Sequence, residues 1–453
     1  MNKKAVLTEG SVKRSLTKMT LSMLFGMLGM SLFNLTDTFF VGKIGSNELA
    51  AMNFTIPVVF MIASIAIGLG IGVSSVISRA LGEGNREKVQ RLTTDSLLLS
   101  LFLICFISIF GYIGMDTLFS MLGATPELLP LIKNYMQIWF LGVPFLIIPM
   151  VGNSIIRATG DALSPSKIML SGFLVNFVLD PILIFGWGPL QSLGLKGAAI
   201  ATVVARAFTL ALSLNILYRR KKLISFKRAP FSTTLSSWKE LLYVSLPAAA
   251  TQAIIPFSIG FITKIISSHG IQAVAAYGVG LRIEMLAMTL IWSLSSVLGP
   301  FIGQNWGAKH LDRVQLGTKY SYIFSLGWGV LVFLIFLLFS SSLISLFNSD
   351  KTVVHIGSMF LIIISFCSGF NGITLLSSSI CSAVKRPLSA ASISLFQMII
   401  LKFPFALIGS YYFELRGLFI GIACGEFISA LISMAQVKTI LAMPKTQESL
   451  KQT

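Results

Sequence analysis

Acidic side chains are scarce in this chain: 17 of 453 residues, against 35 lysines and arginines. Charged residues of both signs reach only 11%, where a soluble domain carries about a quarter. The four cysteines (Cys105, Cys367, Cys381 and Cys424) show no paired spacing. That pattern argues against a disulfide framework or a thiolate metal site and leaves them as small apolar packing residues. His269, His310 and His355 form no metal-spaced pair, and no serine sits in a nucleophile elbow, so an enzyme would lack its usual constellation. There is no P-loop, and the Gly68, Gly70, Gly72 series follows no strand and lacks a third fingerprint glycine. Direct use of ATP and dinucleotide binding of that type are therefore not expected.

Apolar residues are what the chain has in quantity: 55% of the sequence, with a mean hydropathy of +0.84. The apolar runs are about 20 residues or more, enough to cross a hydrocarbon core of about 30 Å as helices. Twelve spans are expected, at 16–41, 48–79, 91–114, 130–152, 165–188, 195–218, 240–267, 273–302, 318–340, 352–376, 390–412 and 417–440. The first run follows Lys3, Lys4, Lys13, Arg14 and Lys18 with no small-residue cleavage site in view, and is expected to be a retained span.

The net charge of +18 could suggest a nucleic-acid partner, but its distribution points to topology. The termini and even-numbered loops hold 26 of the 35 basic residues, and the odd-numbered loops hold 6. Such an asymmetry places both termini in the cytoplasm, with the lipid bilayer as partner and no nucleic acid.

One segment is echoed 225 positions on. Gly45 aligns with Gly270, Ala50-Ala51 with Ala275-Ala276, Gly82 with Gly307, Glu87-Lys88-Val89-Gln90 with Asp312-Arg313-Val314-Gln315, and Ala158 with Ala383. Later the offset becomes 220, where Leu195-Lys196-Gly197 aligns with Leu415-Arg416-Gly417. Arg219-Arg220-Lys221-Lys222 opens the longest charged stretch, midway along the chain. The expected organisation is an N-lobe at 1–218, a basic cytoplasmic linker at 219–238 and a C-lobe at 239–453. Six spans per copy is an even number, so the copies run parallel, a transporter-like arrangement. The fold class is thus an all-α membrane protein with twelve transmembrane helices in two parallel six-helix repeats.

The copies differ in their intramembrane acids. Asp37 stands opposite Ile262, and Asp180 opposite Phe405 or Ile400. Asn34 and Asp37 are three apart in span one, and Asn176 and Asp180 four apart in span five, so each pair shares a helix face. An ionised Asp in a span costs about 2.5–3.5 kcal/mol even on lenient insertion scales, and such residues mark function by default. Two converging acids would take up a proton, or hold Na⁺ with amide and hydroxyl oxygens; the bland alternative is a hydrogen-bonded helix contact. Arg282 and Glu284 in span eight, and Lys402 in span eleven, are candidates for substrate or gating contacts, as is Asn34. Arg206 in span six reads as a side chain that could snorkel to the cytoplasmic surface. Gly417, Gly421 and Gly425 form a doubled small-xxx-small pattern for close helix packing.

Several motifs together are specific. Leu32–Gly45 with Ala50-Ala51, Ala275–Glu284, Gly303–Ala308, Arg157–Asp161 and Gly197–Thr202 resemble segments of the MATE family, the multidrug and toxic compound extrusion transporters, over nearly the whole chain. The chain is similar to the DinF-like branch, whose ion site lies in the first lobe. By that resemblance the coupling residues are Asp37, Asn176, Asp180 and Thr202, with Na⁺ an option at the same four. The NorM-like branch has an acid in span seven, but Leu246–Pro256 here has none. DinF-like relatives usually carry a proline near the start of span one, where Ser22 stands in this chain, so a proline-driven bend is not implied. The expectation is a monomeric bacterial inner-membrane antiporter, H⁺-coupled in preference to Na⁺, with no other cofactor, exporting amphipathic or cationic compounds by alternating access. A lipid-linked precursor flippase of the same superfamily is the alternative, and an integral-membrane enzyme a remoter one.

Overall fold

The computed structural model describes residues 5–187, 191–225 and 230–449. In chain order the helices are α1 (Val12–Gly42), α2 (Ser46–Gly82), α3 (Arg86–Ile113), a short α4 (Met115–Met121), α5 (Leu129–Ala158), α6 (Leu163–Phe185) and α7 (Leu195–Asn215). They continue with α8 (Phe231–Ser267), α9 (Ile271–Gly307), α10 (Leu311–Ser345), α11 (Lys351–Ala383), α12 (Pro387–Leu395) and α13 (Phe403–Ser449). Among the described residues, 11 helical stretches are long and apolar enough to cross a membrane. The last of them, Pro387–Ala442, is 56 residues long, and its backbone leaves helical geometry at Phe413 and Glu414. It therefore makes two passes. The expected twelve spans are present, many reaching beyond their apolar runs into polar ends; α2, for example, runs to Gly82 and α9 to Gly307.

The chain divides into two compact units: Leu21–Ala249, and Met1–Thr20 with Ala250–Thr453. The division falls within α1 and within α8, and α8 begins at Phe231, inside the basic segment 219–238. Lys227 and Arg228 of that segment lie outside the described residues. In the first unit α5 is the hub, packed on α2, α3, α6 and α7; in the second α11 is the hub, packed on α9, α10 and α13. Their apolar side chains form the two cores.

Backbone conformations repeat with the sequence echo. Gly84 (φ 75°) and Lys309 (φ 61°), 225 apart, share the left-handed region, as do Gly160 (φ 87°) and Lys385 (φ 66°). At the later offset of 220, Gly194 (φ 54°, ψ −132°) is matched by Glu414 (φ 52°, ψ −140°). That last conformation favours glycine, so Glu414 holds its hairpin at a cost of about 1–3 kcal/mol.

The echoed motifs opening α3 and α10 do similar jobs. Arg313 donates to the carbonyls of Leu7, Glu9 and Gly10 and to Asn305 Oδ1, while Leu7 N–H donates to Gln304 Oε1 at 3.0 Å. This clamps the segment before α1 onto the end of α9 and the start of α10. In the first unit Gln90 Nε2 donates to the Lys222 carbonyl at 2.9 Å, and Ser225 N–H donates to Thr94 Oγ1 at 3.0 Å. The segment before α8 is thus held on α3. Asp/Glu-Arg/Lys-Val-Gln is therefore a docking site for the lead-in of the other copy's first helix.

Candidate functional site

α1, α6 and α7 of the first unit carry the candidate coupling residues, with Asp37 in electrostatic range of Asp180. α1 runs unbroken from Val12 to Gly42 with no proline. Gly26 and Gly29 lie against Ser166 and Leu170 of α6, where a Cβ on Gly26 would overlap Ser166. The Ser166 hydroxyl donates to the Ser22 carbonyl. The two glycines therefore serve close packing of α1 on α6, and the residue at the expected proline position contributes its carbonyl to that contact.

Fifteen residues beyond Ser22, Asp37 points into the protein and is buried, as are Asn176 and Asp180 on α6 and Thr202 on α7. Asn176 Nδ2 donates to Asp180 Oδ1 at 3.0 Å, the contact expected of residues one turn apart. Other oxygens of the set are unsatisfied. Asp37 Oδ1, Asp180 Oδ2, Asn176 Oδ1 and Thr202 Oγ1 are all buried with no hydrogen-bond partner. Buried polar groups normally find partners, and leaving one unpaired costs about 1–3 kcal/mol, more for a charged group. Buried oxygen acceptors left without partners, two of them carboxylate, suit a small hard cation or a proton.

Two further residues belong here. Tyr135 on α5 is buried, and the charges of Asp37, Asp180 and Arg206 all act on it. Arg206 lies one turn beyond Thr202 on α7, its guanidinium 4.3 Å from the ring centroid of Phe33. Phe33 is one turn before Asp37 on α1 and is buried. The sequence left Arg206 able to snorkel toward the cytoplasmic surface; in the structure its guanidinium lies on an aromatic ring in electrostatic range of Asp37. The signal was present in two i, i+4 pairs, Phe33/Asp37 and Thr202/Arg206, but only the packing of α1 near α7 joins them.

Asn34 is exposed and outside this group, its carbonyl accepting from Thr38 Oγ1 at 2.9 Å. The exposed flank of α1 instead borders an open apolar groove of about 600 Å³ lined by Leu35, Thr36, Thr38, Phe39, Phe40 and Phe177. In the second unit Arg282 is exposed, while Glu284 and Lys402 are half-buried and share a cluster with the fully buried Glu426. Lys402 Nζ lies 3.4 Å from Glu426 Oε1. Lys402 ends a π-helical segment, Phe396–Lys402, that joins α12 to α13, a distortion common at functional sites.

Outside the spans, the motif Arg157-Ala-Thr-Gly-Asp161 is a helix-to-helix turn. Gly160 takes a positive φ to end α5, and Asp161 accepts from Ser164 N–H at 3.0 Å and from Lys221 Nζ at 2.9 Å. Burial pushes the Asp161 carboxyl up, but the Ser164 and Lys221 contacts together outweigh it and hold the group below the usual carboxylate range.

Known proteins resemble the chain along most of its length. The family model described as MatE matches residues 22–182 and 247–408. The chain is 36% identical over 427 residues to a FAD transporter of Shewanella oneidensis, covering 92% of this chain and 94% of that one. It is 27% identical to the probable multidrug resistance protein YoeA of Bacillus subtilis, covering 93% and 92%. Among solved structures it resembles the Vibrio cholerae MATE transporter VcmN in the bent form, with a TM-score of 0.90 at 30% identity over 95% of this chain and 97% of that one.

Proposed function

The chain belongs to the MatE family of multi-pass membrane transporters, and from that premise we propose that it is a cation-coupled exporter whose coupling site is Asp37, Asn176, Asp180 and Thr202. It is a transport protein, not an enzyme. The observation that carries the reading is the set of four buried, unpartnered oxygens in the first unit, Asp37 Oδ1, Asn176 Oδ1, Asp180 Oδ2 and Thr202 Oγ1. H⁺ is the preferred coupling ion, since carboxylates take a proton with no further ligand; the amide and hydroxyl oxygens keep Na⁺ as the second candidate. This first-unit site, with no acid among residues 246–256 of α8, is the reason to place the chain in the DinF-like branch.

In the proposed cycle the outward-open protein takes a cation at Asp37 and Asp180. Neutralising the acids weakens the hold on substrate, which leaves to the outside. The loaded site then turns inward, releases the cation and admits the next substrate, so that ion and substrate exclude one another. The basic bias of the even-numbered loops and termini argues for an inner-membrane protein with both termini in the cytoplasm. One chain carries both units, which is enough for a monomer to work.

The substrates we propose are amphipathic or cationic compounds, in line with relatives named as multidrug resistance proteins. A second reading, a flavin dinucleotide, is favoured by the relative at 36% identity. In proteoliposomes, efflux of a cationic dye and of a flavin dinucleotide would be compared under an imposed pH gradient in sodium-free buffer and under an imposed Na⁺ gradient. The pH gradient should drive transport, and Asp37→Asn or Asp180→Asn should reduce it more than ~100-fold, because loss of even an outer-shell partner at an ion site costs 10–100-fold. Undiminished gradient-driven efflux by Asp37→Asn would remove the coupling site from Asp37.

A further inference from the structure

Arg206 has no part in the ligand set above, yet among the described residues it is the cation whose charge acts on Asp37. Its position is constrained on two sides. Its guanidinium stacks on Phe33 at 4.3 Å from the centroid, and its Nε is buried with no hydrogen-bond partner. Among the described residues neither Asp37 nor Asp180 makes an ion pair with it within 4.0 Å. This placement is chemically unusual. A buried guanidinium beside carboxylates normally forms a bidentate pair and occupies their oxygens. Here the guanidinium lies on the aromatic face, which attracts the cation through its quadrupole, and Asp37 Oδ1 and Asp180 Oδ2 stay unpartnered.

The consequence is a count of charge. With Asp37 and Asp180 both ionised and Arg206 positive, the group carries a net charge of −1. Arginine does not lose its proton in proteins, so its contribution is fixed through the whole cycle. A site enclosed in a membrane is least costly when its charges sum to zero. One monovalent cation achieves that; a second would leave an excess positive charge. Without Arg206 the same two acids would need two.

We propose that Arg206 is a resident counter-charge that sets the coupling ratio at one monovalent cation per turnover, with Phe33 keeping the guanidinium off the carboxylate oxygens that the transported ion uses. Arg206 is then a stoichiometry-determining residue that never touches substrate. The proposal rests on the Asp37–Asp180 site being the coupling site.

The test is the static head reached in proteoliposomes with the membrane potential clamped at zero and a tenfold gradient of the driving ion. The substrate ratio rises as the ion gradient to the power of the coupling number, so one ion gives about 10-fold accumulation and two give about 100-fold. The expected result is about 10-fold for the wild type, about 100-fold for Arg206→Gln, and about 10-fold for Arg206→Lys, which keeps the charge. About 100-fold in the wild type, or an unchanged ratio in Arg206→Gln, overturns the proposal. Should Arg206→Gln not transport, ions bound per chain in detergent decide: one in wild type and two in the variant supports it, and equal numbers overturn it. Failure of the underlying reading looks different, because gradient-driven accumulation would then survive Asp37→Asn and Asp180→Asn.

Discussion

Each unit groups two acids and one base within its spans, and the two sets are wired in opposite ways. In the first, Asp37 and Asp180 keep oxygens free while Arg206 is parked on Phe33. In the second, Lys402 lies 3.4 Å from Glu426, with Glu284 in electrostatic range of both. At the later offset of 220, Arg206 and Glu426 are counterparts in the repeat, so one position carries opposite charge in the two copies. Where the first copy has Asn176 and Asp180 on a regular α-helix, the second has Leu401 and Phe405 around a π-helical turn that ends on Lys402. Duplication supplied the scaffold twice. Divergence left one unit with free acceptors suited to an exchanging ion and the other with an internal ion pair suited to holding helices together.

That contrast is sharpened first by removing each base. Lys402→Met strands the Glu426 carboxylate, which is 1% exposed, and breaking a buried pair from one side costs about 3–5 kcal/mol. Thermal unfolding in detergent should show a large drop. The double variant Lys402→Met with Glu426→Leu should recover most of it, because replacing both partners removes the stranded charge. Arg206→Met should unfold much closer to wild type, losing a cation–π contact worth about 0.5–2 kcal/mol. Equal losses for the two single variants would mean that both bases do the same structural job, and the comparison would break.

A smaller effect separates the two closing hairpins. In the second unit Gly409, Gly417, Gly421 and Gly425 let the last two passes meet backbone to backbone, and a Cβ on Gly421 would overlap the Phe405 carbonyl. In the first unit the positions matching Gly417, Gly421 and Gly425 are Gly197, Ala201 and Ala205. Gly197 faces the Leu183 carbonyl with equal closeness, while Ala201 and Ala205 are already buried with their methyl groups in place. Gly421→Ala should therefore destabilise by about 1–3 kcal/mol through overpacking, and Ala201→Gly by about 0.5–1 kcal/mol through helix propensity. Urea or heat unfolding of the pair would read the order; a reversed order would mean that the hairpins close by the same contacts.

Much of this was legible in the sequence because lipid imposes a coarse code. Apolar run length gave the twelve passes. The 225 and 220 offsets marked the duplication, and the backbone follows them, since Lys309, Lys385 and Glu414 share the left-handed conformation of Gly84, Gly160 and Gly194. Asp37 and Asp180 stood out because an acid in an apolar run is costly. Arg206 was left open for a physical reason: an arginine in a span can snorkel or turn inward, and the choice depends on which ring packs across from it. The pairing of Lys402 with Glu426 was equally hidden, since 24 residues and a hairpin separate them.

The smallest contrast lies at the turn before the fifth pass of each copy. Asp161 accepts from Ser164 N–H and Lys221; its counterpart at 225 is Arg386, whose guanidinium carries no acceptor and which is followed by Pro387 at the first helical position. Proline lacks the N–H that a capping carboxylate would satisfy, so each copy solves the same end problem differently. The Asp161 carboxyl is held below its unfolded value. Its stabilising contribution is therefore complete above the unfolded carboxylate pKa of about 4 and disappears as pH falls through the lower folded value. Asp161→Asn should cost about 1 kcal/mol at neutral pH, as for a weakened helix cap, and the gap to wild type should close on acidification. Arg386→Gln should show no such closing. An acid-insensitive gap at Asp161 would assign its role to the neutral hydrogen bond with Ser164 and not to its charge.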